Sequence, residues 1–148
     1  MEKGEALSLS FLIDTCAISE LTKPKPDAGF MGWFEQAEEH NLYLSVVTLG
    51  ELWKGATKLP ESRRREKLMA WIRDDLPKRF KGRALSVGAD VAQEWGRISG
   101  EAEIRGETLP ILDALIGASA LVHDLTVVTR NTADIKRTGA KVLNPWSR

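Results

Sequence analysis

Apolar residues along this chain recur with two different periods. Short apolar runs at Leu9–Ile13, Leu42–Val47, Ala84–Val87, Leu125–Thr129 and Lys141–Leu143 read as strands. Between them, apolar residues at helical spacing predict helices. One follows the first strand over Ala17–Leu21 and stops at Lys23-Pro24-Lys25-Pro26, where two prolines forbid continuation. Asp27 caps the next, which carries Phe30, Trp33, Phe34 and Ala37 on one face. Thr48 is expected to cap Leu49–Lys58, with Leu52, Trp53 and Ala56 inward. Pro60 opens a helix from Arg63 to about Leu76, striped by Leu68, Trp71 and Ile72. Ala89–Ile104 presents Val91, Trp95, Ile98 and Ala102 on one side. Ile111–Val122, with Pro110 as a first-turn residue, is apolar nearly all round and reads as buried. A short helix over Asn131–Lys136 and a turn at Gly139 precede the last strand. Strands alternating with helices predict an α/β fold, a central and mostly parallel sheet of about five strands flanked by helices. The whole of 1–148 reads as a single domain, with residues 1–8 taken as a flexible N-terminal extension.

Composition narrows the classes. The chain has 21 basic and 21 acidic residues, so no whole-molecule field draws it to nucleic acid or to a charged surface. A lone cysteine, Cys16, cannot make an internal disulfide, and together with an acidic, non-apolar N-terminus this predicts a cytoplasmic protein. No apolar stretch approaches the roughly 18 residues of a membrane span.

Four places carry acids where a sheet binds ligands, at strand carboxyl ends or in the helix turns that follow. Asp14 ends the first strand. Glu51 lies just beyond the second, although Thr48 and Glu51 also spell a capping box, which would make the acid structural. Asp113 sits among apolar and tiny residues in Leu109–Ala118, where an unpaired carboxylate is costly; its bland role is to complement the helix dipole. Thr129-Arg130-Asn131-Thr132-Ala133-Asp134 follows the fourth strand; there Asn131 could be a helix cap and Asp134 a solvated turn acid. Carboxylates gathered in one cleft repel one another unless a cation sits among them. Oxygen ligands without a His or Cys cluster suit Mg²⁺, with Mn²⁺ as the second choice. The chain has no P-loop, no G-x-G-x-x-G and no G-x-S-x-G, and Cys16 is expected to pack, not to react. Acid-bound Mg²⁺ activates water against a phosphodiester.

These residues resemble the PIN-domain ribonucleases, and more closely the VapC and FitB type of toxin from toxin–antitoxin pairs. The resemblance runs through Leu12-Ile13-Asp14-Thr15, Ile18-Ser19-Glu20, Ser45–Leu52, Leu112–Ala118, Thr129–Asp134 and Val142–Trp146, in that order along nearly the whole chain. It implies a single PIN domain and an Mg²⁺-dependent endoribonuclease. Asp14 and Asp113 would be direct metal ligands, and Glu51 would bind a second ion or orient the attacking water. Thr15, Thr129, Arg130 and Asn131 would support the site or the scissile phosphate. Two positions depart from the pattern. The family usually has Asn where this chain has Cys16, and often an acid at Asn131, which leaves Asp134 as the expected fourth carboxylate.

The resemblance also implies an RNA substrate, a cognate antitoxin protein, and a homodimer or a larger complex with that antitoxin. For RNA, candidate cations are Lys23 and Lys25, Arg63-Arg64-Arg65 with Lys67, the group Lys78, Arg79, Lys81 and Arg83, and Arg130 beside the acids. The Arg63 run also reads as a solvated helix face. The chain has five tryptophans. Trp33, Trp53 and Trp71 should be mostly core, and any that surface together would make a groove for a partner helix. A phosphoacceptor receiver domain is disfavoured, since the first strand supplies one acid and Asp113 opens a helix. The remaining alternative, kept open by Cys16 and Asn131, is a PIN-fold module that binds RNA or a partner without cutting.

Overall fold

The computed structural model describes residues 9–147, so the extension expected at 1–8 lies outside the described residues. Five strands, β1 (Phe11–Ile13), β2 (Leu42–Ser45), β3 (Ala84–Leu85), β4 (Thr126–Val128) and β5 (Val142–Leu143), form one sheet in the order β3-β2-β1-β4-β5. Every pairing is parallel, with Leu12 registered against Tyr43 on one side and Val127 on the other. The helices are α1 (Thr15–Glu20), α2 (Ala28–Gln36), α3 (Val46–Thr57), α4 (Arg63–Ala70), α5 (Leu76–Arg79), α6 (Ala89–Ile104), α7 (Ile111–His123) and α8 (Thr132–Lys136). Among the described residues, no helix is long and apolar enough to cross a membrane.

Strand alternation divides the core between the two sheet faces. Ile13, Leu44 and Val128 point to a layer filled by Phe30, Phe34, Leu52 and Phe80. Their neighbours Leu12 and Val127 point the other way, onto Ile116, Leu125 and Ile135. A third cluster joins α6 to α7 through Val91, Ile98, Ala102, Ala114 and Ala118. The small residues of α7 permit close approach, and at Gly117 a Cβ would stand 2.2 Å from the Thr138 hydroxyl.

Four local expectations are corrected. The second strand ends at Ser45, whose hydroxyl accepts from the Val47 N–H at 3.0 Å, so α3 begins at Val46 and Thr48 caps nothing. Ser62, not Pro60, caps α4 through the Arg65 N–H. The helix predicted to end near Leu76 continues through a widened π turn (Trp71–Asp75) into α5. Pro77 follows that turn; a proline ring would clash with the carbonyl four residues back, and the wider turn relieves this. Pro110 lies one position outside α7, and the first turn of that helix is not buried, since Ile111 is 64% exposed.

The chain terminus is tied beneath α1 and α2. Glu20, buried, accepts from the Trp146 indole N–H (3.1 Å) and the Asp27 N–H (2.8 Å), and pairs with Lys23 (3.0 Å). Asp27 caps α2 and also accepts from the Ser147 N–H. Trp146 packs at a tilt against Phe30, within a cluster that includes Trp33 and Phe34. Burial pushes the Glu20 carboxyl up, but its three donors outweigh that and hold it below its ordinary 4.5.

Packing and charge give three expected outcomes. Gly117→Ala should cost about 1–3 kcal/mol in urea unfolding, because the contact is with a fixed loop. Gly55→Ala, exposed on α3 with open space around it, should stabilise by about 0.5–1 kcal/mol. Glu20 contributes stability that is present above pH 4.5 and lost as the pH falls through its depressed folded value. The gap in thermal midpoint between the native chain and Glu20→Gln should therefore be largest near pH 7 and close below that range.

Candidate active site

The strand order reverses at β1, which lies between β2 and β4, and the carboxyl ends of β1 and β4 open on a crevice there. Asp14 is the first residue past β1 and the N-cap of α1; its Oδ1 accepts from the Ala17 N–H at 3.0 Å. Capping fixes the carboxylate at the mouth of the sheet, where it is only 9% exposed. Glu51 comes from the second turn of α3, since that helix starts early. The Thr15 hydroxyl donates to Glu51 Oε1 at 2.5 Å, with Thr48 3.4 Å from the same hydroxyl. The capping-box reading of Glu51 therefore fails. Asp113 enters from the first turn of α7, half-buried.

Asp14, Glu51 and Asp113 line one cleft of about 160 Å³, together with Thr15, Cys16 and Asn131 and an apolar wall of Ile116 and Ile135. Burial raises the Asp14 carboxyl above 3.8 against hydrogen bonds from Thr129, Cys16 and the Ala17 N–H, and the Glu51 charge raises it further. Asp113 is raised by burial first and then by the charges of Asp134, Glu51 and Asp14. The arrangement concentrates negative charge, against which the charge of Arg137 acts more weakly at Asp113.

Asp134 is at the rim, outside the residues lining the cleft. It accepts from Asn131 Nδ2 (3.0 Å) and pairs with Arg137 (2.7 Å), and these contacts hold its carboxyl below the ordinary range. Asn131 occupies the N-cap position of α8 without capping it and lines the cleft. Thr129, fully buried, accepts from the Asn131 N–H at 2.9 Å and so ties the end of β4 to Asp14. Arg130 is exposed, with its guanidinium over the Trp146 ring, 5.5 Å from the centroid.

Cys16 packs against the site and also makes polar contacts within it. Its thiol donates to Asp14 Oδ1 at 3.0 Å and accepts from the Arg130 N–H at 3.3 Å. Burial and the Asp14 charge push the thiol up to about 11, so it is a neutral donor and not a nucleophile. Thr48, which also borders the Thr15–Glu51 link, was missed as a site residue; its capping-box pattern pointed to a different role.

Among the described residues, no three Asp, Glu, His or Cys side chains form a ready-made metal cage. The donor set is all oxygen and spread around an open cleft. That suits a hydrated cation held by one or two carboxylates, not a closed structural site.

A profile of the PIN domain family matches residues 11–141. A VapC ribonuclease of Sinorhizobium fredii is 30% identical over 135 residues, covering 91% of this chain and 96% of the relative. Toxin FitB of Neisseria gonorrhoeae is 31% identical over 135 residues, covering 91% and 97%. Among solved structures, FitAB bound to a DNA fragment is similar at a TM-score of 0.86 and 29% identity, over 93% of this chain and 96% of that one. DNA-bound VapBC from Salmonella typhimurium is similar at 0.73 and 26%, over 91% and 97%.

Raised carboxyls destabilise the metal-free fold at neutral pH. Both Asp14 and Asp113 favour the protonated folded state, so their contribution is present below 3.8 and lost as pH rises through the folded values. Asp113→Asn should raise the thermal midpoint of the metal-free protein at pH 7 by roughly 1–3 °C, a modest effect for a domain of this size. The gain should vanish on acidification toward pH 4.

Proposed function

Since this chain belongs to the PIN domain family, we propose that it is the toxin of a toxin–antitoxin pair, a Mg²⁺-dependent endoribonuclease that hydrolyses RNA phosphodiester bonds. One observation carries this reading: three carboxylates from three separate elements line a single cleft at the sheet reversal, two of them raised by burial and mutual repulsion. Relatives named as a VapC ribonuclease and toxin FitB support it.

Asp14 and Asp113 hold the cation, with Mn²⁺ able to replace Mg²⁺. Bound there, the ion supplies water activation and neutralises charge growing on the phosphodiester. Glu51 is fixed by its Thr15 hydrogen bond and presents its second oxygen to the attacking water. Thr129 and Cys16 orient Asp14, so the departure at Cys16 leaves a donor where the family has an amide. The Asn131 amide donates to the scissile phosphate, and Asp134 steers that amide from the rim. Neither departure empties the site, which favours cleavage over a non-cutting module.

A cognate antitoxin protein is the proposed partner, in keeping with relatives solved as FitAB and VapBC complexes. Ile111 (64% exposed) and Leu112 (39%) beside Asp113 offer apolar surface for a second copy or for the antitoxin.

Purified, antitoxin-free protein should cut single-stranded RNA with Mg²⁺ and stop with EDTA. Asp14→Asn and Asp113→Asn should each lower the rate at least ~100-fold, the scale of a lost metal contribution. Cys16→Ser should retain most activity, because a hydroxyl also donates to Asp14. Intact RNA after incubation with folded, Mg²⁺-loaded protein would overturn the proposal.

A further inference from the structure

A second concavity, of about 530 Å³, lies away from the acids. Leu21, Leu68 and Trp71 form its floor, and Arg63, Arg64 and Lys67 stand around it. We propose that this groove is a subsite for single-stranded RNA, taking phosphates on Arg63, Arg64 and Lys67 and a base on Trp71, one or two nucleotides from the cut bond. The inference rests on the nuclease reading of the acidic cleft.

Three observations carry it. First, most arginines elsewhere are already paired. Arg79 and Arg83 are bound to Glu39, Arg73 to Asp74, Arg97 to Glu94 and Glu101, Arg105 to Glu107, and Arg137 to Asp134. Arg83 also donates to the Glu39, Leu42 and Arg79 carbonyls. Of the candidate tracks, Arg79 and Arg83 are thus structural, and Lys23 is held by Glu20. Arg63, Arg64 and Lys67 are exposed and make no ion pair among the described residues. In a chain with no net charge, attraction for phosphate must come from such a local set.

Second, the groove is joined to the cleft by one short helix. Thr15, which lines the cleft, opens α1, and Leu21 and Thr22, which line or border the groove, directly follow its last residue. Six residues of helix span about 9 Å. A strand held in the cleft for cutting and leaving along α1 arrives at the groove within that distance. Third, the groove combines an aromatic ring with flanking cations, the pairing that binds bases and backbone without reading sequence. An acidic, apolar segment of a protein partner would match the same lining; the short span of α1 from the acidic cleft to the groove is what favours the RNA.

The test is binding of a fluorescein-labelled 12-nucleotide single-stranded RNA to the full chain in EDTA, where no cutting occurs. Arg64→Gln with Lys67→Gln should weaken binding at least tenfold and flatten the slope of log affinity against log salt by about 1.4, the release expected for two phosphates. Trp71→Leu, which keeps apolar bulk, should weaken it about tenfold without changing that slope. With Mg²⁺, the double variant should lose activity on the 12-mer but not on a dinucleotide, which carries nothing beyond the two nucleotides that flank the cut bond. Unchanged RNA affinity and slope in the double variant would overturn the subsite, whether or not the chain cuts RNA. Loss of binding to an acidic apolar peptide, with RNA affinity intact, would also overturn it and make the groove a protein-docking face. Absence of cutting by the native chain, with groove-dependent RNA binding retained, would count against the nuclease reading alone.

Discussion

Asp14 is held where it is because one carboxylate has two jobs. Its Oδ1 closes the first turn of α1 by accepting from Ala17, and the same carboxylate faces the cleft between β1 and β4. The helix start therefore locks the acid in place, and the acid cannot swing away from its neighbours without unwinding α1. Thr129 from β4 and the thiol of Cys16 close round it, so that the central strand, its neighbour and the first helix meet on one carboxyl group. Burial of that group is unfavourable on its own. The fold accommodates it with hydrogen bonds that lower the carboxyl's pKa but do not cancel the burial and the repulsion from Glu51.

The remaining elements bring further charge to the same point. Early entry into α3 at Val46 moves Glu51 to the second turn, within reach of Thr15. The small residues of α7, whose first turn carries Asp113, let it lie close to α6 and to the loop at Thr138. At the other end of α1, the Glu20–Trp146 hydrogen bond shows the opposite solution for a buried acid. There, enough donors surround the carboxylate to keep it charged. The contrast separates a carboxylate whose donors include a lysine from carboxylates that repel one another across one cleft.

Much of this is legible in the sequence. Each strand shows itself because alternate residues of a doubly covered sheet are all apolar, and Asp14 marks the end of the first by breaking such a run. The acids on strand ends follow from that pattern. What is not legible depends on choices between equivalent local partners. Ser45 and Thr48 are both acceptable caps, and only the fold decides that Ser45 serves while Thr48 is buried. The apolar run around Asp113 suggests a fully buried helix, yet its first turn leaves Ile111 and Leu112 exposed. Asn131 and Asp134 differ by less than one helical turn, so the sequence alone cannot assign which enters the cleft; the Arg137 pair draws Asp134 to the rim. The role of Cys16 as a donor was hidden because a thiol carries no polar signal in a hydrophobicity pattern.

The central claim is that Asp14 and Asp113 together form a divalent-cation site in the acidic cleft. Its most direct measurement is Mn²⁺ binding followed by electron paramagnetic resonance of the free ion, comparing the native chain with Asp14→Asn and Asp113→Asn. Saturable binding in the native chain, weakened by more than about tenfold in each variant while both stay folded, is the expected result. Mn²⁺ affinity that is the same in all three proteins would contradict it.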